Sequence, residues 1–270
     1  MNAAFWSNAR GRGRTTSNLA ALCIMHVLLT KHKSIVMENH CGRHSLESAL
    51  VGYRYRSAIR EQDYYHSQIG LDYLIKTFHT GHIPDKTIEE VSQSMLSGKL
   101  CYLPAARTNE DIFDYNLNLV MDSLFPYLEK QGEDIFFDLA EENSMTTKFI
   151  LERADRIVVN LPQDPEAVEA FLKEHPEETG KIFYLIGDYD RESRYSKAYL
   201  SRKFSIPKDQ IGIIPHNIHF SDALLSGTVL RFITSGYRCS RDDPNHYFIY
   251  EVKRTLRLME KMKGGDCQRI

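Results

Sequence analysis

The residues with the clearest chemical potential lie near the start of the chain, in Asn8-Ala9-Arg10-Gly11-Arg12-Gly13-Arg14-Thr15-Thr16. An apolar run ends at Ser7 just before this stretch, and helical spacing begins just after it. A strand, a glycine-containing loop and a helix form the context in which backbone N–H groups cradle phosphate oxygens. Gly11 and Gly13 permit the backbone to turn its amides inwards, and the helix end adds a positive dipole. Thr15 stands where a hydroxyl would ligate Mg2+, and Arg14 occupies the position usually held by lysine. Arginine keeps the charge but is longer, planar and forked, so phosphate contact is expected to survive without the geometry of a point charge. The pattern departs from GxxxxGK[ST] twice, at the first glycine and at the lysine.

The loop needs a scaffold, and the rest of the chain supplies one. Short apolar runs at Ala3 to Trp6, Ser34 to Met37, Leu100 to Leu103, Asp134 to Leu139, Arg156 to Leu161, Ile182 to Ile186 and Ile211 to Pro215 read as buried strands. Between them, Thr15 to Thr30, Ile112 to Glu129, Met145 to Ala154, Pro165 to Lys173 and Ser193 to Phe204 carry helical spacing. Alternation of this kind predicts an α/β fold, a mostly parallel twisted sheet flanked by helices on both faces, in a single domain.

Two segments stand apart from the alternation. Arg43 to Gly98 shows no strand pattern, but Leu71, Leu74, Ile75 and Phe78 recur at helical spacing, so a helical insertion is expected over about 43–98. Its Tyr53, Tyr55, Tyr64, Tyr65 and Tyr73 either pack or stack on a base or partner. A final helix is expected over about 246–263, with Phe248, Val252, Leu256 and Met259 forming an apolar stripe amid Lys253, Arg254, Arg257, Lys261 and Lys263. Docking on the sheet is the plainer account of that stripe, and a membrane-surface or partner-binding helix the sharper one.

Bulk properties narrow the classes. With 42% hydrophobic and 26% charged residues the chain is of ordinary globular composition, and a formal net charge of −2 gives no overall positive field for nucleic acid. Any DNA contact would be a local patch. The longest apolar stretch, Leu19 to Leu29, is too short to span a bilayer, and no export signal opens the chain. Cys23, Cys41, Cys101, Cys239 and Cys267 are odd in number and contain no CxxC pair, which fits a reducing compartment.

The loop and the order of elements resemble the deviant Walker A ATPases of the MinD/ParA group, SIMIBI-type P-loop NTPases that include the TadZ/CpaE-like pilus-localisation proteins. Their loop reads KGGxGKTT, which sets Ala9 on the signature lysine and Arg10 on the first glycine, followed by Gly11, Arg12, Gly13, Arg14, Thr15 and Thr16. The resemblance continues through a second strand ending in Glu38, where the family has a water-positioning aspartate, and through Ile135 to Asp138, which looks like Walker B. It reaches Ile213-Ile214-Pro215-His216-Asn217 and Gly227-Thr228-Val229 near the end, covering nearly the whole chain in order.

By this resemblance, ATP and Mg2+ are the implied cofactors. Glu38, Arg14 and Asp138 are the implied catalytic residues. Gly11, Arg12, Gly13, Arg14, Thr15, Thr16, Asp188, Pro215 and His216 would line the nucleotide, and Thr15 and Asp138 would serve the metal. Asp138 has capping as its plain alternative, and Thr15 an ordinary place at a helix start. The departures fall on the catalytic side. Ala9 cannot reach across a dimer to a partner's ATP, leaving Arg10 or Arg12 as substitutes. Glu38 sits one methylene too far out, and Asp188 stands where relatives carry an adenine-reading asparagine.

The expected function is therefore an ATP-binding positioning or assembly factor for a pilus or secretion apparatus, or for plasmid or chromosome partition. Hydrolysis is expected to be slow or absent. The resemblance implies a cytoplasmic homodimer with a protein partner, and leaves nonspecific DNA contact and peripheral membrane contact open. The alternative is a nucleotide-free scaffold acting through protein contacts. An iron–sulfur reductase of the same superfamily is disfavoured, because no cysteine closely follows Asp138. Calorimetry with ATP is expected to show Arg14→Ala weakening binding more than Ala9→Lys changes it; equal effects would show that the loop is misaligned.

Overall fold

The computed structural model describes residues 1–8, 11–40, 45–51, 69–105, 109–139, 144–175 and 180–262. Each expected apolar run becomes a strand: β1 (Asn2–Trp6), β2 (Ser34–Glu38), β4 (Leu100–Leu103), β5 (Asp134–Asp138), β6 (Arg156–Leu161), β7 (Ile182–Tyr189) and β8 (Ile211–Pro215). All but β7 are buried along their whole length, and β7 exposes a single residue, Asp188. Continuous apolar sequence is what a parallel strand covered on both faces requires.

One strand is a correction. Gln93–Met95 forms β3, antiparallel to β4 at the sheet edge, inside the stretch expected to lack strands. Three residues, two half-buried and one exposed, are too few to show an alternation, and the turn that pairs them, Leu96-Ser97-Gly98, has positive φ throughout. The sheet order is β3-β4-β2-β5-β1-β6-β7-β8, and every pairing except β3 with β4 is parallel.

Helices cover both faces. On one lie α1 (Thr15–Thr30), α2 (Leu46–Leu50), α9 (Ile218–Ser226), α10 (Val229–Gly236) and α11 (His246–Lys261). On the other lie α3 (Gly70–His79), α4 (Ile88–Val91), α5 (Glu110–Gln131), α6 (Met145–Arg153), α7 (Pro165–Glu174) and α8 (Lys197–Lys203). α1 is buried without a break from Asn18 to Val27, as a helix apolar on all sides must be. Leu71 and Leu74 of α3 are fully buried, while Ile75 and Phe78 pack at the margin. The stripe of α11 is sealed in the core, with Phe248, Val252, Leu256 and Met259 at most 1% exposed. The stripe is thus a docking face, and it is not free to enter a membrane or receive a partner. Tyr53, Tyr55, Tyr64 and Tyr65 lie outside the described residues.

Parallel strands bring their C-terminal ends to one edge, where the predicted site residues collect. At the opposite edge a charged network ties the chain together. Asp134 Oδ2 accepts from His26 Nε2 at 2.8 Å and His32 Nδ1 at 2.9 Å, and Oδ1 meets the N-terminal ammonium at 3.0 Å. His26 Nδ1 lies 2.9 Å from Glu260 of α11. Burial works against the His26 imidazolium, but the hydrogen bonds and charges of Asp134 and Glu260 outweigh it and raise its pKa to about 9.

A pKa raised by folding contributes stability that is complete below the ordinary 6.5 and is lost as pH climbs towards about 9. His26→Asn is expected to cost roughly 3 kcal/mol near neutral pH, because it leaves buried carboxylate behind. It is also expected to flatten the alkaline fall. Urea melts across that pH window check both, and an unchanged slope would show that His26 is not charged in the fold.

Candidate functional site

The turn after β1 is stitched to the end of β6. Asn18, in the first turns of α1, donates to Gly13 O at 3.0 Å and to Asn160 Oδ1 at 2.9 Å. Asn160 in turn donates to Trp6 O and Val158 O, and Ser7 Oγ donates to Asn160 O at 2.7 Å. A Cβ on Gly13 would stand 2.4 Å from Asn160 O, so this glycine is required by close packing against β6. Gly187 is needed for the same reason, because its Cβ would fall 2.7 Å from Asn18 Nδ2. Gly11 differs: its φ is 71° and a Cβ there would meet nothing within 4 Å, so the tip of the turn faces open space. Ala9 and Arg10 lie outside the described residues.

Both described arginines of the turn are engaged by carboxylates. Arg12 meets Asp164 at 2.7 Å, and Arg14 meets Asp188 Oδ2 at 3.1 Å. Arg14 adopts a left-handed conformation, φ 58° and ψ 33°, and forms the N-cap of α1 without a side-chain cap bond. Asp188, itself at φ 50°, also accepts from His216 Nδ1 at 2.8 Å. Arg14, Asp188, Pro215 and His216 are thus gathered as expected, but Arg14 leans towards β7 and away from β5. Arg14, Asp188, Pro215 and Phe220 help to enclose a cavity of about 20 Å³. That space suits one water, whereas small-molecule pockets run to about 300 Å³ or more.

The pair that closes this space is weak. Arg14 and Asp188 side chains are 53% and 39% exposed, and pairs of that kind are worth about 0–1 kcal/mol. A forked Arg–phosphate contact is stronger, at about 1.5–3 kcal/mol for a hydrogen bond to a charged group. A polyphosphate can therefore compete for Arg14.

A second group sits where β2 and β5 end. Register pairs Glu38 with Asp138, and both are 1% exposed. Glu38 Oε2 accepts from Leu46 N at 2.9 Å, and Oε1 accepts a short hydrogen bond from the Tyr102 hydroxyl. Burial, reinforced by Asp138, pushes the Glu38 pKa up to about 7. His40 Nε2 lies 3.4 Å from Asp138 Oδ2. Burial disfavours its charged form, but Asp138 and Glu38 outweigh burial and raise its pKa to about 9. Among the described residues neither Asp138 oxygen makes a hydrogen bond of good geometry, and His40 stands beside it as an ion-pair partner at 3.4 Å.

A buried carboxylate with idle lone pairs is a ready cation ligand, so the site fits Mg2+ at Asp138. Thr15 and Thr16 are half-buried in the first turn of α1. Sequence reasoning missed His40, Tyr102, Asn18, Asn160 and Gly187. Glu38-Asn39-His40 at a strand end was a usable signal for the first; nothing local marks Tyr102 or Asn160 as neighbours of the site.

No protein-family model and no curated protein matches the sequence. Solved structures do match in shape. A ParA family ATPase from Chlorobium tepidum superposes with a TM-score of 0.67 at 13% identity, covering 94% of this chain and 98% of that one. MinD in the MinC:MinD cell division complex of Aquifex aeolicus gives 0.63 at 14% identity, with 96% and 95% covered. The septum site-determining protein MinD of Pyrococcus horikoshii, complexed with Mg-ADP, gives 0.60 at 11% identity, with 97% and 96% covered. The chain has the ParA/MinD-type P-loop fold.

The packing of the turn generates a contrast between its two glycines. Gly13→Ala is expected to cost about 3 kcal/mol or more, because backbone blocks the added methyl, and Gly11→Ala about 1–2 kcal/mol for its left-handed backbone alone. Denaturant midpoints of the two variants decide it, and an equal loss would remove the close contact with β6.

Proposed function

We propose that this chain is a ParA/MinD-like ATP-binding protein that positions or assembles a larger machine, a pilus or secretion apparatus or a partition complex, with slow or absent hydrolysis. The observation that carries the reading is the carboxylate of Asp138, buried and without a hydrogen bond among the described residues, at the end of the strand that pairs with β1 just before the glycine-containing turn. Thr15 and Asp138 would hold Mg2+, which supplies charge neutralisation for phosphate oxygens. Gly11, Arg12, Gly13, Arg14 and Thr16 would face the phosphates, and Asp188, Pro215 and His216 the base side.

Slow turnover follows from how the remaining groups are committed. Glu38 is clamped by Tyr102 and Leu46, with a pKa near 7, and cannot swing freely to align a water. Arg14 must first leave Asp188. A homodimer, a protein partner and a cytoplasmic setting, with or without peripheral membrane contact, belong to the same proposal, as does any DNA contact. Among the described residues no helix is long and apolar enough to cross a membrane. The basic face of α11 is partly spoken for, since Lys253 bonds Tyr237 O and Arg254 pairs with Glu251 at 3.2 Å.

Two observations favour a second reading. The Arg14–Asp188 pair and the 20 Å³ cavity suit a nucleotide-free scaffold in which the loop arginines are internally satisfied. Nucleotide-dependent melting separates the two readings. Millimolar ATP with Mg2+ is expected to raise the melting temperature, and more so for Asp188→Asn, which releases Arg14 and restores an amide donor; affinity should tighten severalfold. ADP and metal-free arms identify which phosphates and which cation matter. No shift in either protein would establish the scaffold reading.

A further inference from the structure

We propose that Glu38, His40 and Asp138 form a site for one divalent first-row transition ion, with Zn2+ as its probe, that is occupied without nucleotide. One ligand atom of each residue lies within 4.8 Å of the other two. His40 Nε2 and Asp138 Oδ2 are 3.4 Å apart. That spacing is long for a charge-assisted hydrogen bond, but it is about the edge of a tetrahedron whose metal–ligand bonds are about 2.1 Å. The two atoms are set as ligands of a common centre are set.

A second and independent observation points to a ligand. Asp138 is 1% exposed, and among the described residues no hydrogen bond reaches either of its oxygens. A desolvated carboxylate without donors is costly, and a cation answers that cost directly. Glu38 is held differently, because Tyr102 and the Leu46 amide each occupy one lone pair of its carboxylate and leave others for a metal. Outer partners of this kind fix the orientation of a ligating carboxylate. One imidazole and two carboxylates form a donor set that ranks Zn2+, Fe2+ or Mn2+ above Mg2+, which prefers oxygen alone and keeps its waters. Three protein ligands also leave a coordination position free for water or substrate.

The chain contains a competing cluster, His26, His32 and Asp134, whose ligand atoms also lie within 4.8 Å. Its groups are spent on one another, on Glu260 and on the N-terminus. It has no idle carboxylate, so it is the control and not the site. The proposal shares Asp138 with the nucleotide reading but does not depend on it, because the ion is measured with no nucleotide present.

The test uses the full chain, stripped with chelator and titrated with ZnCl2 by calorimetry, with Co2+ followed by its visible bands. About one ion per chain is expected, bound at least about 100-fold more tightly than Mg2+. His40→Gln and Asp138→Asn should each weaken Zn2+ by more than about 10-fold, since even outer-shell losses cost 10–100-fold. His32→Ala should leave it unchanged. Should Asp138→Asn fail to fold, the Co2+ spectrum of the unaltered chain still decides the matter, because an imidazole-bound, low-coordinate ion absorbs far more strongly than hydrated Co2+. Undiminished Zn2+ binding by His40→Gln, loss in His32→Ala, or a Co2+ spectrum matching the free ion would each overturn the proposal. A failed ATP titration would leave a positive metal result standing.

Discussion

Two carboxylates face one another across adjacent strand ends, out of reach of water, and much of the local structure answers that placement. Register fixes it: once β2 and β5 pair in parallel, Glu38 and Asp138 are partners. Like charges this close and this buried cannot both be ionised without compensation. The chain supplies compensation unevenly. Glu38 receives a phenol and a backbone amide, which favour its ionised form, yet burial and Asp138 still lift its pKa to about 7; among the described residues Asp138 has His40 beside it at 3.4 Å and no hydrogen bond. The asymmetry makes one carboxylate a committed structural acceptor and the other an available one.

The arginine-rich turn shows the same internal balancing. Arg14 sits in a left-handed conformation that costs a non-glycine residue roughly 1–2 kcal/mol. Several neighbours hold the turn in place, above all the Asn18–Asn160 bond and the tight seats of Gly13 and Gly187. The exposed ion pair to Asp188 contributes little to that geometry and mainly decides where the guanidinium points. Backbone shape and side-chain direction are thus governed by different interactions, and a ligand can change the second without disturbing the first.

The parallel sheet was readable because its strands are continuous apolar runs and its crossovers are helical, so β1, β2, β4, β5, β6, β7 and β8 announce themselves. β3 was not, since an edge strand of three polar or half-exposed residues has no period to detect. Element limits also moved: α5 runs from Glu110 to Gln131, beyond the expected Ile112 to Glu129, because Asn109 caps it by accepting from Asp111 N and Ile112 N. At the site, Arg14, Asp188, Pro215 and His216 meet. The direction of the Arg14 side chain could not be read, because it depends on a carboxylate 174 residues away. Nor could Tyr102 or Asn160, which reach the site only through strand order.

Charge counting links the two halves. Among the described residues the site edge carries Arg12, Arg14 and His40 against Asp164, Asp188, Glu38 and Asp138, and each arginine already has a carboxylate partner. A triphosphate entering such a place brings several negative charges to groups that are already neutralised. Freeing Arg14 alone exposes Asp188 to the same anion, so the arginine's gain is offset by repulsion from the partner it leaves. A second source of positive charge would then be required, and among the described residues Asp138 is a buried carboxylate there with no hydrogen bond on either oxygen. On the proposed function, anion binding at the turn and cation binding at the strand ends would in this way be thermodynamically coupled, each making the other more favourable, even though no side chain is shared between Arg14 and Asp138.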